Sequence, residues 1–241
     1  GAGTDRRPAL LEEYSKAILF DYSYPHFYHD GYGKDYRITN LKDETDTFND
    51  WMLLGNLLSF YEQSLLYEGH RESLRPYNLE KPLWVFVGHT VTGGKSREDV
   101  EALTDVEQIV AFFDSYLKRP DEWTERIGKA LRGETGLRNR LDEDIFTGLF
   151  PYLKGKGSRA EEIYADVVRR VFSAKPGETV RAVELRAAAG EIGLRVGADN
   201  PYFGVINIGD VGGLMKLLEA RGMVREDENI TSSLFTRIND P

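Results

Sequence analysis

A chain of 241 residues holds one large domain or two small ones, and an apolar share of 41% is enough for an ordinary globular core. No apolar run approaches the ~18 residues of a membrane-spanning helix, and residues 1–8 are polar with no signal-peptide core behind them. The absence of cysteine excludes disulfides and thiolate metal sites and suits a reducing, cytoplasmic location, while the net charge of −9 argues against a dedicated basic nucleic-acid-binding domain.

That charge is uneven. Residues 1–117 carry 11 Lys/Arg against 20 Asp/Glu, residues 118–195 carry 16 against 13, and residues 196–241 carry 4 against 7. Only the middle stretch is locally basic. Such a face still meets phosphates, because salt confines the relevant field to about 10 Å.

In chain order, residues 9–19 have helical spacing, with Pro8 suited to a first turn. The aromatic run 20–36, broken by Pro25, Gly31 and Gly33, reads as an ordered but irregular connector, and residues 36–41 as a short strand. A long helix is predicted over 46–72, with Phe48, Met52, Leu53, Leu57, Phe60, Tyr61, Leu65 and Tyr67 giving a wide apolar stripe. Residues 82–88 (PLWVFVG) are apolar at nearly every position, as in a parallel strand buried on both faces. A Gly-rich polar loop follows, then a helix over 104–117 with Thr104 and Glu107 as a capping box. Residues 119–198 read as a charged, mostly helical insertion, with helices over 121–131, 142–153 and 159–172. A second apolar strand spans 202–210, Asp210 caps a helix over 211–221, 223–226 forms a short strand and 232–238 a last helical turn. Two apolar strands, each followed by a helix, predict an α/β fold with a parallel sheet and crossover helices.

Several constellations invite a chemical reading. GHTVTGGKS, Gly88 to Ser96, sits between strand and helix like a phosphate loop. It places five residues where that loop needs four, so its N–H groups do not converge on one phosphate. A nucleotide-binding enzyme built on this loop is therefore the least favoured reading. The rings of Phe20, Tyr22, Tyr24, Phe27, Tyr28, Tyr32 and Tyr36, near Lys34 and Arg37, suit base stacking, although filling core between domains is the simpler role. His26 and His29, near Asp21, Asp30 and Asp35, lack a defined third metal ligand and read as structural or surface residues. GYGKDY, residues 31–36, lacks the third glycine of a dinucleotide fingerprint. His-Glu-x-x-His and Gly-x-Ser-x-Gly are absent, and the acidic triplets 142–144 and 226–228 read as solvated turns or helix starts.

Taken in order, AILFDYSY, FYHDGYGKDYRITNL, the long helix, YNLEKPLWVFVGHTV, TDVEQIVAFF, IYADVVRRVF, GEIGLRVG, YFGVINIGD and SSLFTRIN resemble the central part of DEAD/DEAH-box superfamily 2 helicases of the type III restriction enzyme Res-subunit kind, over about residues 14–239. The resemblance implies two RecA-like domains that clamp ATP and move along nucleic acid. Residues 1–80 would be the tail of the first motor domain and a connector, 81–118 the start of the second RecA-like domain, 119–198 the helical insertion, and 199–241 the continuation of the second domain. The loop Gly88, His89, Thr90 and Val91 would touch the nucleic-acid backbone, and Gly209 and Asp210 would stand at the loop-facing end of a sheet strand.

The phosphate loop, the Asp-Glu box and the arginine-finger motif of such motors are missing here. The chain alone is therefore expected to hold no cofactor and to turn over no ATP, with ATP and Mg²⁺ belonging to the parent ATP-dependent hydrolase. Lys95 and Arg97 are the candidate phosphate contacts. Expected partners are nucleic acid, DNA by analogy with restriction enzymes, the remaining motor segments, and a methyltransferase or nuclease subunit; no membrane partner is expected. The alternative is a protein-interaction module whose basic insertion docks such a subunit in a restriction or defence complex. Both chain ends read as cut from something longer.

Overall fold

A computed structural model gives the architecture. It describes residues 22–32, 48–86, 97–186, 190–228 and 233–234, with backbone alone at 48 and 97–104. The chain divides into two units, Gly1–Thr39 and Asn40–Pro241.

In the first unit the aromatic run holds a short helix, α1 (Tyr24–His29), where an irregular connector is predicted. Pro25 stands in its first turn, where a missing N–H costs no hydrogen bond. Its rings are exposed and lean on one another: Tyr24 and Tyr28 lie 6.0 Å apart and Phe27 and Tyr32 5.6 Å. Tyr22 Oη donates to Asp30 at 2.7 Å.

The second unit is mixed α/β. It begins with α2 (Phe48–Leu74), which buries Trp51, Leu54, Leu58, Tyr61 and Leu65. That spacing of three and four keeps one stripe inward. The stripe is rotated from the predicted one, for Met52, Leu53 and Phe60 are only partly buried. Helix α3 (Arg97–Lys118) turns Val110, Phe112, Phe113, Tyr116 and Leu117 inward. It starts seven residues before Thr104, so the predicted capping box does not form, and Glu107 pairs instead with Arg221. Helices α4 (Pro120–Arg132) and α6 (Ala160–Val171) pack together with Trp123, Ile127, Tyr164 and Val167 between them and the core.

The predicted helix over 142–153 shortens to α5 (Pro151–Lys156). Residues 133–150 instead form a loop around Asp144, which is 3% exposed. Its carboxylate accepts from Thr135 N and Oγ1 (both 2.7 Å), Gly136 N (3.1 Å) and Phe146 N (3.0 Å). A carboxylate that ties down this much backbone outcompetes a local helix. Glu62 on α2, also buried, accepts from Tyr152 N (2.6 Å) and Leu153 N (3.2 Å) and so caps α5 from 90 residues away.

The sheet corrects the predicted topology in three respects. Its strands are β1 (Val180–Leu185), β2 (Glu191–Val196), β3 (Gly204–Asn207) and β4 (Val224–Glu228), in the order β3-β2-β1-β4. First, β1 and β2 lie inside the stretch predicted to be mostly helical. They form an antiparallel hairpin with Val180 opposite Val196 and Ala182 opposite Leu194. Alternate residues there enter the main core, a period-two pattern masked by Arg181 and Arg195 between them and by Glu184, which falls in phase with Val180 and Ala182. Second, the sheet is mixed rather than parallel: β3 pairs antiparallel with β2, and only β4 pairs parallel with β1. The chain passes from β3 at one edge to β4 at the other through α7 (Val211–Ala220), which is the predicted crossover helix.

Third, residues 82–86 join no strand, so they are not the parallel neighbour of β3. They run without a backbone hydrogen bond to any described residue. Trp84 turns inward, 5.9 Å from Phe60 and 5.7 Å from Phe113, while Leu83 and Val85 are 47% and 61% exposed. No helix among the described residues is long and apolar enough to cross a membrane.

Candidate nucleic-acid interface

The loop expected to touch nucleic acid, Gly88, His89, Thr90, Val91 and Lys95, lies outside the described residues. Arg97 opens α3, and only its backbone is described. Gly209 and Asp210 are exposed just beyond β3. There Asp210 is the N-cap of α7: its Oδ1 accepts from Gly213 N at 2.8 Å. A Cβ at 213 would run into that carboxylate, so glycine there lets the cap close. The structure thus gives Asp210 a capping role.

The other face of the sheet carries a polar network. Tyr202 lies flat against Gly193, where any side chain would collide with the ring, and its hydroxyl donates to Glu228. The Arg195 guanidinium stands 5.3 Å from the same ring centroid and donates to Glu226 at 2.8 Å, and Arg181 donates to Glu226 as well. The bond from Arg195, joined by that from Arg181, holds the Glu226 carboxyl below its ordinary range. Burial and the bond to Glu228 push the Tyr202 hydroxyl up. The hydrogen bonds of this network all end on carboxylates of β4, which suits holding β4 in register, while the buried Arg195 Nε–H meets no partner among the described residues. Glu226, predicted to be a solvated turn residue, is part of that lock.

A cleft of about 510 Å³ opens where the start of α2, the second half of α3, the α3–α4 junction and the α7–β4 turn meet. Lys118, Arg119 and Arg221 line it, together with Gln108, Ser115 and Asp50. Lys118 donates to Asp114 at 2.7 Å, Arg119 reaches Glu122 at 3.4 Å, and Arg221 pairs with Glu107 through Nε. Its floor is apolar, made by Leu53, Phe112 and Met223. Sequence reasoning missed this site because its three cations lie as far apart as 103 positions and meet only through the packing of α7 against α3.

No family model, no curated protein and no solved structure matches the chain. Among the described residues no group of three or more His, Asp or Glu is placed to hold a metal ion. Both His26 and His29 are exposed on α1.

Proposed function

We propose that the chain is a segment of an ATP-dependent nucleic-acid helicase or translocase resembling the type III restriction Res subunit, supplying backbone contacts and interdomain surface rather than ATP hydrolysis. The observation that carries this reading is the state of residues 79–86. These eight residues, outside any helix or strand and without a backbone partner among those described, expose Leu79, Leu83, Val85 and Phe86, while Trp84 anchors them to the core. Unpaired N–H and C=O groups beside exposed Leu and Val are the signature of a strand awaiting its sheet neighbours. The resemblance gives residues 82–88, of which 82–86 are described, a matching role, the first strand of a RecA-like second lobe completed by other segments.

A gel-shift with single- and double-stranded DNA over a salt series tests it. Backbone binding is electrostatic, so affinity falls steeply as salt rises, and Lys95→Glu combined with Arg97→Glu lowers it at least tenfold (about two lost phosphate contacts, each reversed in sign). Absence of any shift at low salt sinks the motor reading. It leaves the second reading, a module that docks a partner subunit, which the exposed rings of Tyr24, Phe27, Tyr28 and Tyr32 favour.

A further inference from the structure

We infer that the cleft between α2, α3, α4 and the α7–β4 turn is an anion site that takes a phosphate group of the nucleic-acid strand, an inference that rests on the motor reading above. The argument is an inventory of hydrogen-bonding capacity. Lys118 spends one of its three ammonium protons, on Asp114. Arg221 engages Glu107 through Nε and keeps both terminal nitrogens free. Arg119 makes one long contact, 3.4 Å, to a Glu122 that already holds Arg126 at 2.8 Å. Gln108 accepts from Asn49 through its oxygen, which leaves its NH₂ unspent, and Ser115 accepts from Trp123 Nε1, which leaves its hydroxyl proton unspent.

The carboxylate deepest in the cleft is in the opposite condition. Both oxygens of Asp114 are used, one by Lys118 and one by Val180 N at 3.1 Å. Asp50 is the carboxylate on the lip, and Arg126 holds one of its oxygens at 3.0 Å. Exposure sorts the charges in the same way. The side chains of Lys118, Arg119 and Arg221 are 38%, 64% and 49% exposed, whereas their partners Asp114, Glu122 and Glu107 are 11%, 37% and 10% exposed. An approaching ligand meets each of these three cations ahead of its own partner carboxylate, with Asp50, 45% exposed and paired with Arg126, as the carboxylate at the lip. The matching ligand is rich in acceptors, has no donors and is negatively charged, which is the chemistry of a phosphate; two guanidinium forks suit its oxygens.

The test is fluorescence anisotropy of a labelled oligothymidylate of about twenty nucleotides across a salt series, long enough to track a single-strand groove. In Arg119→Ala/Arg221→Ala the affinity falls about tenfold at low salt, and the slope of log affinity against log salt drops by about 1.4, two contacts at ~0.7 each for single strands. Arg119→Glu alone, at an exposed position with no buried partner, weakens binding in the same direction and guards against a folding defect in the double variant. If the wild-type chain binds the oligonucleotide and both variants match it in affinity and slope, the cleft inference is overturned while the motor reading stands. If the wild type binds neither this oligonucleotide nor its duplex at low salt, the motor reading falls, and thermal melting in millimolar pyrophosphate judges the cleft by itself. A rise in Tm that the double variant loses supports a phosphate site, and no rise in the wild type overturns it.

Discussion

Tyr116 is fully buried, and its hydroxyl meets no hydrogen-bond partner. Its ring stacks among Phe112, Trp123, Tyr164 and Phe172, and burial pushes its hydroxyl well above the ordinary tyrosine value. A desolvated O–H without a partner costs about 1–3 kcal/mol. Tyr116→Phe keeps the ring contacts and removes that cost, so the urea midpoint rises by the equivalent of about 1 kcal/mol with an unchanged slope. Tyr164→Phe moves it the other way by a similar amount, because Tyr164 Oη donates to the carbonyls of Tyr116 (2.9 Å) and Leu117 (3.3 Å). A fall in stability on removing the Tyr116 hydroxyl would contradict this assignment. Neither difference is legible in the sequence, where both positions are simply tyrosines on apolar helix faces. The same holds for Glu62 and Asp144, whose partners are backbone N–H groups that only the folded chain brings near.

Elements were legible wherever local signals agreed. The helices α2, α4, α6 and α7 fall close to their predicted spans, because their apolar spacing and terminal residues point the same way. Asp210 is the clearest terminal signal, and the bond from Gly213 N makes it a measurable one. Asp210→Ala costs about 1 kcal/mol in chemical denaturation, and Asp210→Asn recovers most of it, since asparagine caps nearly as well. Equal losses in the two variants would show that the carboxylate acts through charge alone. Elements were lost where tertiary contacts overrode the local pattern. The expected helix over 142–153 gave way to the Asp144 loop. In β1 and β2, interspersed charged residues concealed a strand period, because the partners of Arg181 and Arg195 sit on β4, some 30–45 residues further along.

At the scale of the whole molecule, the carboxylates that tie distant segments together set the response to acid. Glu226 joins β1, β2 and β4. Asp166 accepts from Tyr61 on α2 at 2.7 Å and from Arg170 at 2.7 Å. Partial burial opposes the Asp166 charge, yet the bonds from Tyr61, Arg169 and Arg170 outweigh it, so both carboxyls are held below their ordinary values of 3.8 and 4.5. A carboxyl depressed in the folded state contributes full stability above its unfolded value and loses it as pH falls through the folded one. Stability is therefore level from neutrality down to about pH 4.5 for these two groups and declines below it. Glu226→Gln lowers stability by about 1 kcal/mol at neutral pH, and the gap to the wild type closes as pH drops below 4. A gap that persists at pH 2.5 would show that Glu226 acts by packing rather than by charge.

By itself, the sequence determined the mixed α/β class, the long helix, and the crossover helix and its cap, because periodicity and capping depend on residues a few positions apart. The order and direction of the strands, the fate of residues 82–86 and the convergence of Lys118, Arg119 and Arg221 on one cleft were decided only by tertiary structure. The reason is physical: strand pairing and charge clustering join residues tens of positions apart, and their energies exist only once the intervening chain has packed.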